Sequence, residues 1–229
     1  MRIPFRQGQL SAWGVLVSLL VGRFVVAAAE ESPPIFLAGA EQAWQQGEEA
    51  SGQQHSAEAI RAYRRGLVIL NEAGVPDNFT PTSKAAQLYV SLSVKYLNAL
   101  VMMADGVWRM VYERPEKLPR TPDSRRLVTD AMAAYQTAID FLETLEATYP
   151  RIRAAIDVTA EPPPNERSYS QALLGISYFS LGSLAAMVKE DATTKRCIDQ
   201  LRVAGRNEAA DRLLRVGVQI EQDQHGTGL

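Results

Sequence analysis

One cysteine and two histidines in 229 residues leave few groups for metal or nucleophilic chemistry. Cys197 alone closes no internal disulfide and supports no cysteine-based zinc site; a small buried hydrophobe is the expected role. His55 falls between helical stretches and His225 near the C-terminal end, so neither is held by rigid neighbours as a general base requires. The patterns HExxH, GxxxxGK[ST], GxSxG and GxGxxG are missing. Paired carboxylates such as Glu143 and Glu146 stand beside Asp140 and read as a solvated helix exterior. A basic excess is missing as well. The 24 Lys and Arg against 26 Asp and Glu give a net charge of -2, without the footprint of a nucleic-acid binder. Period-2 alternation is absent, so no strand is expected. Together these absences predict no catalysis, no cofactor, no metal and no nucleic-acid partner. What remains, 46% hydrophobic and 22% charged, is an ordinary globular composition.

Acidic residues are also missing from positions 1–29. Arg2 and Arg6 lead, Leu10 to Gly22 is apolar or small, and Ala27 and Ala29 precede Glu30-Glu31. That order is expected of a signal peptide cut after Ala29, with an exported product, periplasmic or secreted. Arg23 interrupts the apolar run. Uncut, Leu10–Ala29 has the 20 residues that span a bilayer, which makes a membrane anchor the alternative reading. An organellar transit peptide is a third. The remainder divides into a helical domain over 30–222 and a flexible tail over 223–229.

Helical spacing recurs from Ser32 onward. A first helix is expected over 35–50, broken by Ser51-Gly52-Gln53-Gln54. Ser56 is placed to cap a second, whose stripe is Ala59, Ile60, Tyr63, Leu67 and Leu70. Gly74 and Pro76 close it. A third runs from Thr82 or Ser83 to about Glu113. Pro115, Pro119 and Pro122 mark a loop. A fourth runs from Asp123 or Ser124 to about Thr148, with Leu127, Ala131, Ala134, Tyr135, Ala138, Leu142 and Leu145 as its stripe. Tyr149-Pro150 ends it, and 157–166 is a second linker. Further helices are expected over 165–189, 191–203 and 206–222. The fold class is all-α, made of antiparallel helical hairpins.

Within the hairpins, Gly47, Ala59, Tyr63 and Gly66 follow one another at steps of twelve, four and three. Small residues let two helices approach, a tyrosine fills the gap, and Gly66 admits the next hairpin. Ala131, Tyr135 and Ala138 repeat the second-helix part. Leu174-Gly175-Ile176-Ser177-Tyr178 has the form of a first-helix core. Gly205, Ala210, Leu214 and Gly217 have the form of a final turn and helix. Over about 40–222 the chain resembles a degenerate tetratricopeptide-repeat protein, with Trp44 one residue from the family's tryptophan register. The resemblance implies a short solenoid with a groove that binds a partner protein or peptide. An irregular helical bundle is the competing architecture.

Family members that grip a C-terminal carboxylate use Lys and Asn on first helices. Lys95 and Asn98 share a helix face here and are candidate partner-binding residues. Trp108 and Tyr112 are candidates for an apolar partner patch. The uncharged stretch 172–188 borders on membrane-spanning length, but Ser177, Ser180 and Ser183 favour a packed core helix. A structural subunit of a membrane complex, anchored by residues 10–29, is the alternative function. Arg61, Arg64, Arg65, Arg206, Arg212 and Arg215 read as solvated faces paired with acids. Asn78-Phe79-Thr80 is a glycosylation triplet.

Overall fold

The structure, a computed structural model, describes residues 34–112, 122–164, 166 and 168–226, with side chains described to residue 216. The expected signal peptide or anchor lies outside the described residues, as does most of the first proline-rich loop. Eight helices and no strand are present among the described residues. They are α1 (Ile35–Gly52), α2 (Ser56–Glu72), α3 (Lys84–Tyr112), α4 (Pro122–Thr148), α5 (Pro150–Thr159), α6 (Tyr169–Met187), α7 (Asp191–Val203) and α8 (Asn207–Gly226). The all-α expectation holds. None of the described helices is long and apolar enough to cross a membrane.

The buried positions of α1 are Leu37, Ala40, Ala43, Gly47 and Ala50, the three- and four-residue spacing of one helix face. Those of α2 include Ala59, Ala62, Tyr63, Gly66, Leu67 and Leu70. Tight turns repeat one device. Gly74 and Gly205 adopt left-handed backbone (φ +70° and +73°), and the amides of Val75 and Arg206 reach back to Leu70 and Leu201. These bonds satisfy carbonyls that the helix end would otherwise leave bare. After α1 and α6 the left-handed residue is not glycine but Gln54 (φ 61°) and Lys189 (φ 64°). The glycine at 52 was expected to break α1, yet it is the helix's last residue.

Other boundaries shift for identifiable reasons. Ser56 begins α2 rather than capping it; His55 is the N-cap and makes no side-chain cap bond. Its Nδ1 lies 3.4 Å from a Glu58 carboxylate oxygen. Pro150 both ends α4 and starts α5, a helix the sequence reading missed. Proline lacks the N–H that a first helical residue does not use. α6 begins at Tyr169 because Ser168 Oγ accepts the Gln171 amide at 3.2 Å. α8 runs to Gly226, four residues past its expected end. Leu127, placed on the α4 stripe, is 47% exposed and Val128 is buried instead.

Packing follows the chain in hairpins. α1 pairs with α2, α2 with α3, α3 with α4, α4 with α6, α6 with α7 and α7 with α8, while α5 fits against α3, α4 and α6. α1 also touches α3, α3 touches α6, and α6 touches α8. Side-chain contacts fix direction. Asn98 meets Tyr169 and Trp108 meets Phe179 at the same sequence separation, so α3 and α6 run parallel. Gly175 meets Arg206 and Gly182 meets Leu213 at one separation, so α6 and α8 also run parallel. Lys84–Glu41 and Lys95–Glu48 align α3 with α1 in the same way. Four parallel helices (α1, α3, α6, α8) therefore form one row, and α2, α4 and α7 form a second row running the other way. α6 lies deepest in this arrangement, with fourteen buried residues.

Candidate partner-binding site

Lys95 and Asn98 lie on one face of α3, but the fold uses both. Lys95 Nζ is 2.9 Å from Glu48 Oε2 of α1. Glu48 Oε1 also accepts the Tyr63 hydroxyl of α2 at 2.6 Å. Three helices meet on this one carboxylate. Burial alone would raise its pKa, but the bonds from Tyr63 and Lys95 outweigh that and hold it below the ordinary value. Burial and then the Glu48 carboxylate push the Tyr63 phenol up. Lys95 remains exposed, and an ammonium has further N–H donors for a ligand. Asn98 Oδ1 accepts the Tyr169 hydroxyl at 2.7 Å. Asn98 is thus a brace between α3 and α6.

Trp108 packs edge-on against Phe179 of α6, with ring centroids 6.3 Å apart. It is about 20 Å along α3 from Lys95, at 1.5 Å per residue. The two therefore do not share one small-ligand site. Tyr112 ends α3, and its side chain lies outside the described residues. On the same two helices, Met102 (74%) of α3 and Ile176 (37%) of α6 are exposed. Met102 stands one turn beyond Asn98, and Ile176 stands on the side of α6 away from Tyr178, which faces α4.

The spacing residues occupy the helix crossings. A Cβ at Gly47 would run into the Tyr63 ring; one at Gly66 would lie 2.9 Å from Leu92 Cδ1 and 3.4 Å from Ala43 Cβ. Ala59, Ala131, Tyr135, Ala138 and Ala210 are each no more than 1% exposed. Tyr178 is buried, and Gly205 makes the turn into α8. Gly175 is the floor on which Arg206 lies, 2.5 Å from a Cβ placed there. Leu214 is 49% exposed and the packed residue is its neighbour Leu213, three residues from buried Ala210 on the same face of α8. Gly217 lies in α8, with its surroundings outside the described residues.

A tyrosine system went unread in the sequence. Six tyrosine hydroxyls donate across the fold: Tyr63 to Glu48, Tyr89 to Asn71, Tyr135 to Asp105, Tyr149 to Asp77, Tyr169 to Asn98 and Tyr178 to Glu143. A buried phenol needs such an acceptor, and that rule could have flagged these partners. Glu143 and Glu146 are accordingly not a plain solvated face, since Glu146 pairs with Arg153 of α5. Nor is Arg206 plainly solvated. It forms a two-pronged pair with Glu166, both contacts 2.8 Å, and donates to the Gln171 carbonyl. These groups line a groove of about 590 Å³ between α4 and α7, floored by α6. No group of His, Cys, Asp and Glu side chains among the described residues could hold a metal ion.

No protein-family model matches the chain, and neither a curated protein nor a solved structure matches it.

Proposed function

We propose that the protein is an exported, non-catalytic adaptor of tetratricopeptide-like build, which takes a partner protein or peptide on the face of its parallel helix row. The observation that carries this reading is the exposure of Met102 on α3 and Ile176 on α6, the two adjacent parallel helices that the half-buried Trp108–Phe179 pair joins. Exposed apolar side chains on two neighbouring helices have the composition of an interaction patch. Gly47 under Tyr63 and Gly66 under Leu92 support the repeat-like build, since each is a small residue where the next helix crosses.

The test is a photocrosslinking amino acid placed at Ile176 on the parallel row or at Val68, exposed on α2, in cells that make the protein. A discrete adduct from 176 that is absent from 68, and that is lost on Met102→Glu, is the expected result. Adducts of equal yield from both positions, or none from 176, overturn the reading.

A further inference from the structure

A second groove, of about 440 Å³, lies between α2 and α4 with α3 as its floor. Its size falls within the range of small-molecule sites, roughly 300–1,000 Å³. Its lining differs in kind from that of the α4–α7 groove. Tyr89, Tyr96, Phe141 and Tyr149 supply four aromatic rings, and Asp77 and Asp140 supply two carboxylates. No Lys, Arg or His is among its described lining residues. Neither aspartate takes part in an ion pair among the described residues. Asp77 accepts the Tyr149 hydroxyl at 3.0 Å, and Asp140 accepts the Gln136 amide at 2.5 Å. Arg64 of α2 acts on Tyr96 from outside the lining.

The rings are set before any ligand arrives. Tyr89 and Tyr96 are 2% and 6% exposed. The Tyr89 hydroxyl is tied to Asn71 Oδ1 at 3.1 Å, and Tyr96 stands edge-on to Phe141, centroids 5.7 Å apart at 78°. Ring faces carry negative electrostatic potential, and two unneutralised carboxylates at the rim add to it. A rounded cation with an apolar surface satisfies both features. A neutral apolar group satisfies only the rings, and an anion neither. Preset rings also lower the ordering cost of binding.

We propose that the α2–α3–α4 groove binds the head group of an alkylated ammonium compound, with Tyr96 and Phe141 as ring contacts and Asp77 and Asp140 as charge partners. The groove is separate from the parallel-row patch, so its occupancy and the crosslinking outcome stand or fall independently.

The experiment titrates the full chain with choline and with its neutral isostere 3,3-dimethylbutan-1-ol, followed by calorimetry or by aromatic NMR shifts. Choline is expected to saturate at millimolar concentrations and to bind about ten-fold more tightly than the isostere, a ratio consistent with a cation–π contact aided by charge. Asp77→Asn combined with Asp140→Asn is expected to remove most of that ratio. Added salt is expected to weaken choline but not the alcohol, because the rim charges are solvent-exposed. Should the double variant lose its helical circular dichroism, Phe141→Leu replaces it, with weaker choline binding expected. Equal binding of the two probes, no saturation by choline, or an unchanged ratio in the folded variant overturns the proposal. Saturation by arginine amide at the same groove, with choline excluded, likewise overturns it in favour of a guanidinium site.

Discussion

The first three-helix stack, α1–α2–α3, and the last, α6–α7–α8, solve one packing problem with different atoms. In each, a glycine on the first helix sits under a side chain of a helix packed across it. Over Gly47 lies the Tyr63 ring; over Gly182 lie Cys197 Cβ and Leu213 Cδ2, 2.9 and 2.5 Å from a Cβ placed there. The residue after each glycine differs correspondingly. Glu48 collects bonds from Tyr63 and Lys95, whereas Ser183 turns back to its own helix at the Phe179 carbonyl, 2.8 Å away. The middle stack sits between them. Ala104 is fully buried, and Asp105 follows it and accepts the Tyr135 hydroxyl. Helix crossings select for volume and for satisfied polar groups, not for residue identity. Three stacks can therefore share a geometry while their sequences drift apart.

The largest expected effect comes from emptying the first crossing. Tyr63→Ala removes a ring that is 2% exposed and also strips Glu48 of a donor. A loss of about 3–5 kcal/mol of unfolding free energy is expected, the range for aromatic truncation in a core. Cys197→Ala removes the buried Sγ but leaves in place the Cβ that lies over Gly182, for about 1 kcal/mol. Urea unfolding followed by circular dichroism measures both. If the two variants lose similar stability, the crossings are not equivalent in the way described. Cys197 is itself fully buried, and burial pushes its thiol up to about 11, so a thiol reagent at neutral pH should report the same unfolding independently.

Much of this was legible from residue type and spacing. The steps from Gly47 through Ala59 and Tyr63 to Gly66 predict a close crossing from volume alone, and that is where the ring and Leu92 are found. The middle stack was half-legible. Ala131, Tyr135 and Ala138 stood out, but prolines lengthen the α3–α4 connection and hide their partner Ala104-Asp105. The last stack was misread by one residue. Leu213 and Leu214 are the same residue type and lie three and four residues from buried Ala210, and only the approach to Gly182 separates them. The polar ties were invisible for another reason. Glu48 lies 15 residues from Tyr63, and Asn98 lies 71 from Tyr169, distances at which no local pattern operates.

A subtler contrast opposes two glycines of α6. A Cβ at Gly182 would press on Cys197 Cβ, which is fixed to the α7 backbone, and on a fully buried leucine. A Cβ at Gly175 would have as its nearest neighbours the Nε, Cζ and Cδ of Arg206, the far end of a flexible side chain at the groove. Gly182→Ala is expected to cost about 1–3 kcal/mol through overpacking. Gly175→Ala is expected to fall within about 0.5 kcal/mol of wild type, because the helix gain of alanine over glycine offsets a displaced Arg206. A loss at 175 as large as that at 182 would mean that Arg206 is as rigid as the core.

The smallest effects separate the two ends by acid. Bonds from Tyr63 and Lys95, working against burial, lower Glu48, and the hydrogen bond from Arg206 lowers Glu166. A carboxyl whose folded pKa lies below its unfolded value contributes stability that is complete above the unfolded value. That contribution fades as pH falls through the folded one. Both contributions should therefore be present at pH 7 and lost as acid protonates the folded carboxylates, below the ordinary 4.5. Glu48→Gln removes the charge at a node of three helices, and about 1 kcal/mol is expected at pH 7. Glu166→Gln breaks a pair with a single partner, and about 0.5 kcal/mol is expected; the Glu48–Lys95 pair is the more exposed of the two (45% and 40% against 26% and 31%), and the second donor, Tyr63, is what sets Glu48 ahead. At a pH below both the folded and the unfolded carboxyl values each variant should match wild type. A Glu166 effect exceeding that of Glu48 at pH 7 would place the stabilising charge at the groove instead of at the first crossing, and a Glu48 effect that persists in acid would mean that the charge is not its source.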